Sequence, residues 1–202
     1  MKAWFAAVAL LLAMPAPALA QPQDISASGT VPHAAARAGF PEQVGAFSRS
    51  HVLRYGQDDI SANYNLRRGD DFLRLSVYIY PAPRVPREQR EAACREVMAR
   101  IGGEIGQRYP DAERTESGEA AALPGTEPGL RLRSVHRLRM AIRSRTPEEV
   151  RRESRLYCYV GGDWLVKYYA SSNAGFDVEE AIEAFILDSP WPGRGPASIA
   201  MR

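Results

Sequence analysis

The densest chemistry in this chain is a run of arginines. Leu130, Leu132, His136, Leu138, Met140 and Ile142 alternate with Arg131, Arg133, Arg137, Arg139, Arg143 and Arg145. A period of two puts the two sets on opposite faces of a β-strand. Six guanidiniums on one face repel one another unless acids or an anion sit between them. Two readings follow. The row is an anion-binding surface for lipid phosphates, cell-wall carboxylates or an acidic protein, or it is a solvated face cross-paired with acids on neighbouring strands, the usual meaning of a charge run. Extended to Arg155, the segment holds nine arginines against Glu148, Glu149 and Glu153, so the rest of the domain is acidic. Lysine occurs only at Lys2 and Lys167. That bias, with the many alanines, fits a GC-rich genome, so the choice of Arg over Lys carries no functional weight.

Other reactive types are sparse. Cys94 and Cys158 are the two cysteines. Both fall on apolar faces of their elements, where they either bridge helix to sheet as a disulfide or remain two buried thiols. His51 and His136 stand alone in strand patterns, and His33 precedes the domain. Without HxH or HxxxH spacing they do not converge as a metal site requires, and His136 reads as a core histidine. Tyr78, Tyr80, Tyr157, Tyr159 and Tyr169 could share an open sheet face and stack a sugar or peptide, although strand propensity alone explains them. There is no G-x-S-x-G elbow, P-loop or dinucleotide fingerprint. No catalytic residue, metal or cofactor is therefore assigned. An exported enzyme would instead reveal itself by a concave pocket with converging polar groups and shifted pKa values.

The N-terminus reads as a secretory signal. Lys2 is followed by an apolar run to Met14, breakers at Pro15 and Pro17, and Ala18-Leu19-Ala20 before a cut at Gln21. The run is too short to span a bilayer. Segment boundaries follow: 1–20 signal peptide, 21–39 flexible leader, 40–190 one domain, 191–202 a C-terminal tail. The formal charge is +2, one unit of it from Lys2. No whole-molecule field draws the mature chain to nucleic acid.

Within the domain, Phe47–Tyr55, Ile60–Leu66 and Phe72–Tyr80 alternate and are joined by turns, an antiparallel meander. Cys94, Val97, Met98, Ile101 and Ile105 form one helical stripe between Arg87 and about Gln107, weakened by Gly102-Gly103. A short strand is expected near Arg114–Glu119. Thr146-Pro147-Glu148-Glu149 reads as a capping box opening a short helical turn, and Asp177-Val178-Glu179-Glu180 as a second, opening a helix that buries Val178, Ile182, Phe185 and Ile186. A three-residue loop at Gly161-Gly162-Asp163 sorts Leu156, Cys158, Val160, Trp164, Val166 and Tyr168 to one side. The expected fold is two-layer α+β: an antiparallel sheet of about five to six strands with two amphipathic helices on one face.

In element order, and in the hairpin Tyr157–Tyr169 leading to the helix Ala181–Ser189, the chain resembles the PsbP-like group of small exported α+β proteins, which includes the DcrB-like bacterial envelope proteins. The resemblance spans most of residues 40–190 at the level of fold. It implies accessory or binding roles at membranes and no shared catalytic residues. The expected function is an exported, non-catalytic accessory or binding module of the bacterial envelope, meeting an envelope protein, a membrane surface or an anionic ligand. The alternative is a small hydrolase-like enzyme.

Overall fold

The computed structural model describes residues 21–121, 130–140, 148–173 and 177–189, and Pro192. The signal segment, Arg143 and Arg145 lie outside them, as does all of the 191–202 segment but Pro192. Eleven strands and two helices are present among the described residues.

The meander forms as its alternation predicts: β5 (Phe47–Arg54), β6 (Ile60–Arg68) and β7 (Asp71–Pro81) pair antiparallel. A 3-10 turn after Pro86 leads into α1 (Arg90–Arg108). The chain then resumes at the far edge of the sheet. It returns inward through β8 (Glu113–Glu119), β9 (Arg131–Met140), β10 (Glu148–Val160) and β11 (Trp164–Ser172), so that β11 closes against β7. With β1 (Gln23–Asp24) at one edge, the sheet has nine strands in the order β1-β5-β6-β7-β11-β10-β9-β8, with β4 (Gln43–Val44) also on β5. The expected five to six strands undercount it, because β1 and β4, of two residues each, are too short to show an alternation; β8 is the short strand expected near Arg114–Glu119.

The helices do not share a face. Cys94, Val97 and Ile101 of α1 pack with Leu132, Leu156, Cys158 and Leu165. Val178, Ile182, Phe185 and Ile186 of α2 (Val178–Asp188) pack with Tyr64, Leu75, Val77, Val166 and Tyr168. Leu165 and Val166 are neighbours on β11, and successive strand residues point to opposite faces. One helix therefore covers each side of the sheet. Phe185 anchors α2, its ring edge-on to Phe47 and Tyr64 at 4.9 Å each.

A bulge explains the mis-sorted hairpin. Val160 pairs with Trp164 as the three-residue loop requires, but the next pair is Tyr157 with Val166. Cys158 and Tyr159 thus oppose Leu165 alone, and Tyr159 takes a left-handed φ of 56°. The inserted residue reverses parity, leaving Leu156 and Cys158 towards α1 and Val160, Trp164, Val166 and Tyr168 towards α2.

Residues 21–39 are folded rather than a flexible leader. They carry β1, β2 (Val31–His33) and most of β3 (Ala38–Phe40). The Arg49 guanidinium donates to the carbonyls of Ala27, Gly29 and Phe40. His33 is fully buried, with Nε2 3.3 Å from the Ile79 carbonyl and Nδ1 3.3 Å from the Ala36 amide. Side-chain anchors to distant backbone replace periodicity here, so composition alone points to disorder. Of the helical turn expected from Thr146-Pro147-Glu148-Glu149, Thr146 and Pro147 lie outside the described residues, and the chain from Glu148 is strand rather than helix. Glu148 already lies in β10, whose long ladder with β9 overrides the local capping signal.

Candidate functional site

Strand β9 divides the arginine row. Its odd-numbered face looks towards α2. Arg133 and Arg155 are direct cross-strand partners, as are Arg137 and Arg151, an arrangement of like charges that needs a counter-ion. Glu153 supplies it. Its carboxylate accepts from Arg133 Nε at 2.8 Å, Arg151 Nη2 at 2.7 Å and Arg155 Nε at 2.6 Å. Burial alone pushes the Glu153 carboxyl up, and the bonds and charges of Arg133 and Arg155 overcome this and hold it below the usual carboxylate range. Glu116 on β8 and Glu179 on the first turn of α2 close the cluster at 2.8 and 3.2 Å from Arg133. Glu179 also sits where a helix favours negative charge.

The six candidate arginines therefore have different fates. Arg133 is internal to this cluster. Arg131 donates to the Ala120 carbonyl at 2.7 Å and lies 3.9 Å from Glu119. Arg137 and Arg139 are exposed, Arg137 at 3.9 Å from Glu149. Arg143 and Arg145 are outside the described residues.

The other face of β9 opens on a groove of about 790 Å³ beneath the C-terminal half of α1. One wall is helical and carries Gly102, Gly103 and Gly106; the other is β8 with Arg114; Ser134 and His136 form the floor. Met98 and Leu132 add apolar lining. A Cβ placed on any of the three glycines would meet nothing within 4 Å, so open space faces the helix. His136 is 5% exposed and Ser134 7%, yet neither His136 Nδ1 nor Ser134 Oγ has a hydrogen-bond partner among the described residues. Burial, and secondarily the charge of Arg114, push the His136 pKa down, so the ring is held neutral. The expectation of a satisfied core histidine thus holds for its burial and fails at Nδ1. Sequence patterning missed Ser134 and the glycines, since only the helix-to-sheet approach gives them a common cavity.

Cys94 on α1 and Cys158 on β10 stand at disulfide distance, their Cα atoms 6.2 Å apart. Tyr78, Tyr80, Tyr159 and Tyr169 share the α1-side face of the sheet, with Tyr159 in the bulge beneath Arg90 and Lys167 4.1 Å above the Tyr78 ring, while Tyr157 joins the α2-side core. Arg152 donates to the hydroxyls of Tyr109 and Tyr169. No cluster of His, Cys, Asp or Glu suited to a metal occurs among the described residues, and none of their helices is long and apolar enough to cross a membrane. Comparison with family models, curated proteins and solved structures finds no match for this chain.

Proposed function

We propose that the chain is an exported, non-catalytic binding module of the bacterial envelope, with its ligand site in the groove between α1 and β8–β9. The carrying observation is the groove itself, a concave site lined by the exposed Arg114 and floored by Ser134 and His136, whose Oγ and Nδ1 lie buried just behind the floor without partners among the described residues. A buried polar group without a partner costs about 1–3 kcal/mol, so a ligand that draws these side chains into the groove gains by giving them partners. Export is supported by the charged, apolar and small-x-small order of residues 1–20, and by a cysteine pair at disulfide distance, which suits an oxidising compartment. The likeness in element order to PsbP-like and DcrB-like envelope proteins agrees with an accessory role.

A second reading, a small hydrolase, draws on Ser134 and His136 lying on one face of β9 above a concave site with a depressed histidine pKa. Residues two apart on a strand are about 7 Å apart along it. Ser134 Oγ and His136 Nδ1 make no hydrogen bond to each other, whereas a nucleophile needs its base within hydrogen-bond reach. The binding reading is preferred for that reason.

A thermal-shift screen of the exported protein against a chemically broad fragment set tests it, with Gly103→Leu as the plugged variant. Fragments that raise the Tm of the wild type and not of the variant are expected. A screen with no groove-dependent hit overturns the reading. Ester hydrolysis abolished by Ser134→Ala would replace it with the enzyme.

A further inference from the structure

We infer that the groove recognises a small ligand with an oxyanion head, held by Arg114, Ser134 and His136, and a narrow apolar body lying along the glycine face of α1. This rests on the binding reading above and adds the ligand's chemistry.

The head group follows from the charges around His136. Arg114 of β8 and Arg152 of β10 are its cross-strand neighbours, and Arg95 of α1 lines the same groove. Two of these cations are already engaged. Arg95 pairs with Glu91 at 2.8 Å, and Arg152 is held by Tyr109 and Tyr169. The groove's one lining acid, among the described residues, is Glu119, which lies 3.9 Å from Arg131. Arg114 has no ion pair among the described residues. The exposed Arg114 guanidinium offers an anion its charge and charge-assisted bonds directly, and the buried Ser134 hydroxyl and His136 imidazole behind it, whose Oγ and Nδ1 have no partners among the described residues, add two hydrogen-bonding groups once their side chains turn into the groove. Carboxylate and phosphate monoester heads share this chemistry.

The body follows from the helix wall. Glycine inside a helix is less favourable than alanine by about 1 kcal/mol. No neighbour enforces Gly102, Gly103 or Gly106, since a Cβ at each would point into open space. Side chains there would fill the groove. Met98, Ala99 and Leu132 line the same space and would flank an alkyl or planar body.

The experiment titrates the full exported protein with octanoate, octyl phosphate, octanol and octylamine, by calorimetry and by the imidazole resonances of His136. Octanoate, octyl phosphate or both should bind at least tenfold more tightly than octanol and octylamine, and whichever binds identifies the head group. Bound anion should raise the His136 pKa, because it offsets the field of Arg114. Arg114→Gln and Gly103→Leu should each weaken anion binding at least tenfold; the Gly103 site has room for a side chain, and circular dichroism verifies folding. Equal affinity for octanol, an unaltered affinity in Arg114→Gln, or no binding by either anion overturns the inference. Octanol or octylamine binding that Gly103→Leu removes would leave the groove as a binding site and reject only the oxyanion head.

Discussion

Arg155 Nε lies 2.6 Å from Glu153 Oε1, and their side chains are 2% and 1% exposed. The two residues are two positions apart on one strand, so the pair is formed within a face of β10 rather than between strands. Arg133 joins from the neighbouring strand at 2.8 Å and Arg151 at 2.7 Å. A single carboxylate thus organises three guanidiniums beneath the first turn of α2.

Glu153→Gln keeps the shape of the side chain and deletes the shared charge. Removing one partner of a buried ionic cluster strands the others, a penalty of about 3–5 kcal/mol. Urea unfolding should show a stability loss of that size, as a lower midpoint with an unchanged slope. Glu179→Gln, at the half-exposed rim of the same cluster, should lose about 1 kcal/mol or less. Equal losses in the two variants would mean that Glu153 is not the centre of the cluster.

The elements that the sequence reveals are those whose stability is local. Asp177 accepts from the Glu180 amide at 3.0 Å, and α2 buries Val178, Ile182, Phe185 and Ile186, as the capping box and stripe predict. The stripe of α1 and the three meander strands are equally legible. What stays hidden depends on partners remote in sequence. One inserted residue at Cys158–Tyr159 reverses the parity of β11 relative to β10, and no composition signal marks it. Residues 21–39 look disordered because Arg49 and His33, rather than an apolar period, fasten them. The arginine row is legible, and its pairing with acids on neighbouring strands is one of its two readings, but which acids pair is not, since Glu116, Glu153 and Glu179 come from three different elements. The groove is an assembly of α1, β8 and β9 and has no counterpart in any one segment.

Cys94 and Cys158 are expected to be oxidised in exported protein. Their sequence separation is 64. Closing a loop of that length removes denatured-state entropy worth about 4 kcal/mol. Unreduced protein should resist alkylation after denaturation and should lose roughly that much stability on reduction, with the Cys94→Ser/Cys158→Ser variant matching the reduced form. Two alkylatable thiols in unreduced protein would show that the pair is only adjacent.

Gly102→Ala and Gly106→Ala should each stabilise the protein by about 0.5–1 kcal/mol. The gain is the helix propensity of alanine over glycine, and the free space around each position means that no clash opposes it. A gain in Tm accompanied by weaker ligand binding would tie the glycines to the groove. Destabilisation would show that the helix wall is more tightly packed than its geometry indicates.

His136 should leave a mark on the acid limb of the stability curve. Its pKa is lowered by burial first and by Arg114 second, so the unfolded chain takes up a proton at higher pH than the folded one. The stability it contributes is fully present above the ordinary histidine pKa of about 6.5 and is lost as pH falls through the lowered folded value. Glu153 has the same sign further down. Its folded carboxyl lies below the usual carboxylate range, so its contribution is present above about pH 4.3 and disappears as pH falls through that lower value. The two limbs are separable by substitution. His136→Gln should flatten the decline just below pH 6.5 and leave the more acidic decline intact, whereas Glu153→Gln should do the reverse. Urea midpoints measured from pH 8 to pH 3 on the wild type and both variants provide the check. A wild-type curve that is flat between pH 6.5 and pH 5 would contradict a neutral, desolvated imidazole on the groove floor.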